Sequence, residues 1–285
     1  MGRVASGPAS GPLDAAVKQG AFRAAGINLE IVDFNNGADG IAAMIGGSLD
    51  IFQGSYEHVL RQIENGLDMK AFALISNQQG YKVVIRSDAP YTRLEDLKGK
   101  TLGVTKVGSL SDTTMRKILR EVGIDPERDV EIINTGLGST VVAALDTGNV
   151  AAAMYSGTAQ LEETGQYKVL YNPDFETAGL VLMGSSKWAE ANPDALKAYL
   201  KIFQDQADAM KANPEKYVAV FKEDFPSYSD SLLLATIKEY LERIPVSLEV
   251  TQAAADDVVE TQLAQGTIGR AITREEAVDP SYLPR

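Results

Sequence analysis

Two spacings of apolar residues alternate along the first part of the chain, and they predict strands alternating with helices. Short apolar runs rich in β-branched or aromatic residues, such as residues 70–76, predict strands. After Pro193, apolar residues continue at helical spacing to residue 212, which predicts a long helix with proline in its first turn. Only helices are predicted beyond residue 184. This order is typical of an α/β protein with a helical C-terminal region.

The predicted elements cover most of the chain, and their limits come from glycine, proline and polar turn residues. Strands are predicted over residues 3–5, 29–34, 70–76, 81–86, 100–105, 130–134, 167–171 and 180–183, and a further strand is predicted in each half of the chain, within residues 29–55 and 130–156. Helices are predicted over residues 13–24, 56–65, 111–122, 193–212, 214–221, 229–243 and 251–265, with one more helix within residues 29–55, another within residues 130–156, and single turns near residues 93–97 and 159–164.

One motif occurs twice, and the two copies are 101 residues apart. Gly37, Gly47 and Ser55 of the first copy recur as Gly138, Gly148 and Ser156 of the second. Each copy follows a predicted strand and continues as glycine turn, helix, glycine turn and strand. Such units place a helix N-terminus at the carboxyl edge of a sheet, where α/β proteins bind ligands. The repeat therefore predicts two similar lobes that face one cleft.

Composition narrows the possible functions of the 285 residues. A net charge of −12 argues against nucleic acid as a partner, because phosphate backbones are bound by basic surfaces. The absence of cysteine excludes disulfides, thiolate metal sites and a cysteine nucleophile. No apolar stretch approaches the ~20 residues needed to span a bilayer. No signal segment precedes residue 4, so we expect either a cytoplasmic protein or a form from which a signal has been removed.

Sequence patterns of common enzymes are absent or incomplete. Residues 98–101 resemble the end of a phosphate-binding loop, but Leu94 stands where that loop needs glycine. Residues 136–141 resemble a dinucleotide fingerprint, but Val141 stands at its third small position. His58 is the only histidine and has no evident nucleophile beside it. No residue grouping has the spacing of a metal site. We therefore expect no catalysis, no cofactor and no metal.

Three predicted helix starts at sheet edges are candidate binding positions. The loop 106–112 holds Ser109, Leu110 and Ser111 at the start of a helix, where free N–H groups favour an anionic or hydrogen-bond-accepting group. At the two glycine turns a ligand could approach the backbone closely, at Gly37 and Gly138. Asn36 and Ser139 beside them would supply polar side chains. The alternative for all three is structural, since helix caps and tight turns need these residue types anyway.

Aromatic and acidic residues near the same edges suggest a small-molecule pocket. Ser55, Tyr56 and Glu57 follow the first copy, and Tyr155 occupies the matching region of the second. Tyr81 lies beside the first crossing between lobes. Glu57 is expected to accept hydrogen bonds from a ligand amino group. Since the only basic candidates are Lys106 and Arg86, this mixture favours an amphipathic organic ligand over nitrate.

Four segments together resemble the periplasmic substrate-binding proteins of ABC transporters. They are residues 13–26, 36–51, 94–104 and 188–195, with Leu-Glu-Asp-Leu-Lys-Gly-Lys-Thr-Leu-Gly-Val as the third and Asn-Pro-Asp-Ala ending the fourth. Within that superfamily the chain is similar to the nitrate, sulfonate, taurine and thiamine-pyrimidine group (SsuA/THI5-like, NMT1). Unlike the yeast pyrimidine-synthase relatives, it lacks a cysteine-rich motif, which argues against a single-turnover enzyme.

The resemblance implies the type II periplasmic binding protein fold, α/β, with two βα lobes and a ligand cleft between them. Lobe 1 would comprise residues 1–79 and 184–285, and lobe 2 residues 80–183. The implied function is that of a periplasmic or cell-surface solute receptor for an ABC permease, a monomer that closes on a sulfonate, carboxylate or pyrimidine-like ligand. The alternative is a cofactor-biosynthesis enzyme on the same fold. The implied contact regions include Ala9 and Ser10 besides the positions above.

Overall fold

The computed structural model describes residues 1–4, 11–34, 37–77, 80–173 and 177–284. The chain divides into two compact units. Unit 1 comprises Met1–Gln78 and Glu176–Arg285, and unit 2 comprises Gln79–Phe175. No helix in the described part of the chain combines the length and apolar character needed to cross a membrane.

Ten strands and thirteen α-helices are present within the described residues, together with three short 3-10 segments. The strands are β1 (Gly2–Val4), β2 (Val32–Phe34), β3 (Ile51–Ser55), β4 (Lys70–Ser76), β5 (Lys82–Arg86), β6 (Thr101–Val104), β7 (Glu131–Asn134), β8 (Ala152–Tyr155), β9 (Tyr167–Tyr171) and β10 (Leu180–Gly184).

The helices alternate with strands up to residue 184 and then follow one another. They are α1 (Pro12–Lys18), α2 (Ala21–Ala24), α3 (Gly37–Ile45), α4 (Tyr56–Glu64), α5 (Leu110–Glu121), α6 (Ser139–Asp146), α7 (Thr158–Glu163), α8 (Ser186–Ala191), α9 (Pro193–Ala212), α10 (Val218–Phe221), α11 (Asp230–Glu242), α12 (Gln252–Ala264) and α13 (Arg274–Ala277). The 3-10 segments are Leu94–Leu97, Pro214–Tyr217 and Pro280–Tyr282.

Each unit contains one five-stranded mixed sheet, and the two sheets have the same design. The order is β2-β1-β3-β10-β4 in unit 1 and β7-β6-β8-β5-β9 in unit 2. In unit 1 the strands β1, β2 and β3 are parallel, and β10 runs antiparallel to β3 and β4. In unit 2 the strands β6, β7 and β8 are parallel, and β5 runs antiparallel to β8 and β9. The predicted α/β class is confirmed.

The strand register reproduces the sequence repeat. Gly2 lies opposite Val32 and Phe52 in unit 1, and Gly103 lies opposite Ile133 and Ala153 in unit 2. Every residue of the second set stands 101 positions after its counterpart. A residue in one unit can therefore be compared with the residue at the same sheet position in the other.

Both sheets are covered on both faces, which explains why their central strands read as continuous apolar runs. Consecutive residues of β3 point to opposite faces, so Ile51 belongs to one core cluster and Phe52 to another. In unit 2, Val83 and Val84 divide between two clusters in the same way. The cluster around Ile51 also receives α1, α9 and α11.

The structure moves the second predicted boundary between lobes. Unit 2 ends after residue 175, whereas the sequence predicted 80–183 for this lobe. The reason is β10, which pairs with β3 and β4 and so completes the sheet of unit 1. The first boundary lies after residue 78 instead of residue 79.

Two predicted helices are divided in the structure. The helix expected over residues 13–24 becomes α1 and α2, because Gly20 between them adopts a left-handed φ of +72°. The helix expected over residues 214–221 begins as a 3-10 segment before α10. By contrast, β4, β9 and α9 have the limits predicted for them.

Candidate functional site

Most of the described candidate residues come directly after strands that run in the same direction. In unit 2 the parallel strands β6, β7 and β8 end at Val104, Asn134 and Tyr155. In unit 1 the parallel strands β1, β2 and β3 end at Val4, Phe34 and Ser55. Each unit therefore has one carboxyl edge where the predicted loops gather. The candidates Ala9, Ser10 and Asn36 lie outside the described residues.

At the carboxyl edge of unit 2, three hydroxyl groups form a closed set that we call the hydroxyl cluster: Thr105, Ser109 and Ser111. Their side-chain oxygens lie 2.8–2.9 Å apart in all three pairs. The backbone N–H of Thr105 also donates to Ser111 Oγ at 2.9 Å. Ser111 is fully buried, whereas Ser109 is half-buried and caps α5. Thr105 is also half-buried, so Thr105 and Ser109 are the members of the cluster that a ligand could reach.

A charged pair inside the first turn of α5 holds the loop before it. Asp112 accepts from the N–H of Gly108 at 2.7 Å and from Arg116 Nε at 2.7 Å. Arg116 also forms an ion pair with Glu127, in which Nη1 lies 2.6 Å from Oε1. Asp112 lies at the positive end of the helix, and its negative charge is also offset by Arg116. The bond from Gly108 to Asp112 and the hydroxyl cluster thus both hold the loop between β6 and α5.

The second glycine turn lies beside this loop. Asn134 Oδ1 accepts from the N–H of Val107 at 2.6 Å and so ties the loop after β7 to the loop after β6. Gly138 has φ +59° and ψ −123°, a conformation that only glycine adopts readily. Among the described residues no atom lies within 4 Å of the position where a Gly138 side chain would begin. The predicted close approach at Gly138 is thus sterically possible, and Ser139 beside it is exposed.

Two predicted tyrosines and one lysine reach the same edge of unit 2. Tyr155 ends β8 opposite Lys82, and Tyr81 immediately precedes Lys82. Tyr81 and Tyr155 are both half-buried. Lys82 Nζ donates to Thr158 Oγ1 at 3.2 Å. The sequence did not identify Lys82 as a candidate, because this residue begins a strand and belongs to no recognisable motif. Only the pairing of β5 with β8 places Lys82 at the carboxyl edge.

Arg86, predicted as a basic candidate, lies at the opposite end of β5 from Lys82. It forms ion pairs with Asp88 at 3.0 Å and Asp146 at 3.1 Å. Its hydrogen bonds to Asp88 raise the pKa of the Arg86 guanidinium. Arg86 is therefore not part of the carboxyl edge, and Lys82 and Lys106 are the basic residues there.

The residues predicted after β3 lie deeper in unit 1 than expected. Tyr56 is completely buried in the core, its hydroxyl has no described hydrogen-bond partner, and burial raises its pKa. Glu57 is 3% exposed; its carboxylate accepts from Gln262 Nε2 at 3.2 Å and lies 3.6 Å from Arg61. Ser55 is buried at the N-cap of α4. The structure thus places neither Tyr56 nor Glu57 as a lining of the edge.

Gly37, the first glycine of the repeat, makes room for a side chain of the protein itself. A Cβ at this position would collide with Nε2 of His58. Burial, with a smaller contribution from the charge of Arg61, lowers the pKa of His58 to about 4. His58 is therefore neutral near pH 7 and packs below the start of α3.

A partly exposed cluster of charged residues in unit 1 was not foreseen from the sequence. Arg3 bonds Asp14 and Asp33, each at 2.6 Å. Burial alone would lower the pKa of the Arg3 guanidinium, but its bonds to Asp33 and Asp14 outweigh this and raise it. Gln53 lies opposite Arg3 on β3. The sequence contained part of this information, because Arg3 is a charged residue inside a predicted strand and therefore needs a polar partner nearby.

Among the described side chains, no three histidines, aspartates or glutamates are grouped so that they could hold a metal ion. What the edge of unit 2 offers is a set of neutral hydroxyls, a helix N-terminus and an open glycine turn.

Comparison with known proteins now identifies the family. The sequence model described as "NMT1/THI5 like" matches residues 8–217, which is well over half of the chain. The chain belongs to the NMT1/THI5-like family.

Relatives of this family member are named as candidate binding proteins. One from Brucella abortus (strain 2308) is 27% identical over 212 residues, which is 72% of this chain and 64% of the relative. The chain thus matches less than two thirds of the length of that relative. Another, YtlA of Bacillus subtilis (strain 168), is 21% identical over 252 residues, covering 80% of this chain and 71% of YtlA.

Solved structures of similar fold include two sulfonate-binding proteins and a nitrate-binding protein. The aliphatic sulphonate-binding protein SsuA of Escherichia coli has a TM-score of 0.80 at 18% identity, with 98% of this chain and 90% of SsuA covered. The alkanesulfonate-binding protein SsuA of Xanthomonas axonopodis pv. citri, bound to MOPS, has a TM-score of 0.79 at 18% identity. The match covers 98% of this chain and 96% of that SsuA. The nitrate-binding protein NrtA of Synechocystis PCC 6803 has a TM-score of 0.73 at 14% identity. The match covers 99% of this chain and 86% of NrtA. The family member therefore has the periplasmic binding protein fold.

Proposed function

We propose that this chain is the solute-binding component of an ABC importer. Membership of the NMT1/THI5-like family, the fold, and relatives named as binding proteins all support this proposal. The protein then acts in the periplasm or at the cell surface as a monomer and delivers its ligand to a membrane permease. The closure of two lobes on the ligand stays a prediction from the family resemblance.

The observation that carries the proposal is the hydroxyl cluster at the start of α5. Ser109 presents a hydroxyl beside a helix N-terminus, where the first N–H groups have no partner within the helix. Lys82 and Lys106 add positive charge at this edge. Such a set favours a group rich in hydrogen-bond acceptors, and a sulfonate or a carboxylate has this character.

Exposed apolar side chains beside the cluster favour an organic ligand. Val107 is 47% exposed and Leu137 is 43% exposed, and they lie in the two loops joined by Asn134. Apolar surface next to a polar group suits a ligand with an apolar body and one polar end. Nitrate has no such body. With Glu57 turned toward α12, the argument for a ligand amino group at that residue no longer applies.

Binding without catalysis is the reading that the side chains support. His58, the only histidine in the chain, packs against Gly37 and has a lowered pKa. A general base works best with a pKa near the working pH, and His58 does not meet this condition. An enzyme on this fold is the competing proposal, and it predicts that a bound ligand is chemically changed.

Calorimetric titration of the wild type, Ser109→Ala and Ser48→Ala with aromatic sulfonates and carboxylates tests the proposal. Ser48 is an exposed serine in the turn before β3, so its replacement is a matched control. We expect Ser109→Ala to weaken binding about 5- to 30-fold, since a hydrogen bond to a charged group contributes roughly 1–2 kcal/mol here. Ser48→Ala should bind as the wild type does. Equal affinities in all three proteins, or recovery of a chemically altered ligand, would contradict the proposal.

A further inference from the structure

Asn134, the last residue of β7, uses only one end of its side-chain amide within the protein. Its Oδ1 accepts from the backbone N–H of Val107 at 2.6 Å. A backbone N–H can only donate, so the oxygen end of the amide must face Val107 and the amino end, Nδ2, must lie on the other side. In the part of the chain that the structure describes, Nδ2 has no hydrogen-bond partner. Since Asn134 is exposed, its two amide N–H groups are available to another molecule.

Asn134 lies beside the hydroxyl cluster in the same unit. The backbone N–H of Gly136 donates to the carbonyl of Thr105, a member of the cluster, at 3.2 Å. The bond from Val107 to Asn134 adds a second connection between the loop after β7 and the loop after β6. Ser109 follows Val107 by two residues. The amide of Asn134 and the hydroxyl of Ser109 therefore belong to one joined pair of loops at the carboxyl edge of unit 2.

The repeat shows how the equivalent position serves the protein in unit 1. Asp33, 101 residues before Asn134, lies opposite Arg3 in the sheet and bonds it at 2.6 Å. The residue opposite Asn134 is Val104, which is apolar and fully buried. Asn134 therefore has no cation opposite it, and it carries hydrogen-bond donors where Asp33 carries a negative charge. An aspartate would accept from the N–H of Val107 equally well, so joining the two loops does not require asparagine.

The charges of the loop after β6 favour a negatively charged group. Lys106 is exposed and has no ion-pair partner among the described residues. Asp112 is already paired with Arg116 at 2.7 Å. A cation and an amide donor are thus uncommitted beside Ser109. Donors make shorter and stronger hydrogen bonds to an ionised acceptor than to a neutral one.

We infer that Nδ2 of Asn134 donates to the acidic group of the ligand and so selects an anion over a neutral amide. The oxygen end of the same side chain holds the loop, so the direction of the donor is fixed before a ligand binds. This inference rests on the proposed function and makes Asn134 a specificity-determining residue of that site, in addition to Ser109.

Calorimetric titration of the wild type, Asn134→Asp and Asn134→Ala with two probe pairs tests the inference. The pairs are benzenesulfonate with benzenesulfonamide, and benzoate with benzamide. For at least one pair we expect the wild type to bind the acid at least about 10-fold more tightly than its neutral partner. In Asn134→Asp the new carboxylate still accepts from Val107 but repels the acid, so the preference should reverse. Asn134→Ala should reduce the preference without reversing it.

Asn149→Asp is the matched control for the added charge. Asn149 is exposed in the turn before β8, at the other end of the sheet from Asn134, so this variant should keep the preference of the wild type. The melting temperature of ligand-free Asn134→Asp should stay close to that of the wild type, because the loop keeps its bond. If Asn134→Asp does not fold, the preference of Asn134→Ala decides.

Three results overturn the inference alone. The first is a wild type that binds the acids no more tightly than their neutral partners. The second is an unchanged preference in the Asn134 variants, including equal weakening of both members of a pair, which would assign Asn134 a structural role. The third is the same reversal in Asn149→Asp. Failure of both acids to bind the wild type overturns the proposed function together with the inference.

Discussion

Gly37 and Gly138 stand at equivalent places in the repeat, yet their surroundings differ. Gly37 is in contact with His58, whereas the space beside Gly138 is open among the described residues. The residue equivalent to His58 in unit 2 is Ala159, which cannot fill that space. The repeat thus preserves the glycine turn, whereas single residue differences decide which side chain, if any, contacts each glycine. Ser109, which carries the proposed function, is likewise a difference between the copies, since Pro8 stands 101 positions before it.

His58 gives a prediction for the pH dependence of stability. Its pKa of about 4 in the folded protein lies below the ordinary histidine value of 6.5. Between these values the unfolded chain binds a proton that the folded protein does not, so stability falls as the pH falls. We expect this one residue to contribute up to about 1.4 kcal/mol per pH unit.

Urea unfolding of the wild type and of His58→Gln at pH 7, 6, 5 and 4.5 measures this contribution. Carboxylates also titrate toward the lower end, so the quantity of interest is the difference between the two proteins. The wild type should lose more stability than His58→Gln as the pH falls. Parallel curves would show that His58 has an ordinary pKa.

At the scale of elements, periodicity predicted β4, β9 and α9 at the limits found. It failed where a distant partner decides the outcome. The run 180–183 reads as a strand, but only its pairing with β3 and β4 shows that it belongs to unit 1. Gly20 looks tolerable in a helix until its left-handed conformation divides α1 from α2.

The candidate site shows the same division between local and distant information. The loop at Ser109 was identified because a helix cap is a local signal. The inward positions of Tyr56 and Glu57 depend on α12 and on the core of unit 1, which lie far away in sequence.

The role of α9 in holding unit 1 together gives a prediction for stability. Leu200 in this helix is fully buried against the sheet, whereas Leu263 in α12 is 38% exposed. We expect Leu200→Ala to reduce the free energy of unfolding by about 2–5 kcal/mol, because it removes buried contacts and leaves a cavity. Leu263→Ala is the matched control and should cost about 0.5 kcal/mol or less. Similar losses in chemical denaturation would contradict the assignment of α9 to the core.

At the scale of the whole molecule, the chain enters unit 2 after residue 78 and returns to unit 1 after residue 175. Unit 1 is therefore built from both ends of the sequence, with β10 and the helices after it added to the repeated motif. Its additional helices bring Tyr240 and Arg243 to the carboxyl edge of its sheet. The sheet of unit 2 has the same design, with β5 in the position that β10 occupies in unit 1. Family membership explains this architecture, and the ligand depends on residues that differ between the units.

The central claim is that the folded protein binds a small organic acid and releases it unchanged. A thermal-shift screen of sulfonates, aromatic carboxylates and pyrimidines tests it most directly. A ligand that binds only the folded state adds about 2.7 kcal/mol at 100 times its dissociation constant. We predict that at least one sulfonate or carboxylate raises the melting temperature by several degrees, more so at higher concentration, and is recovered intact. No shift from any of these compounds, or conversion of the compound that binds, would contradict the account.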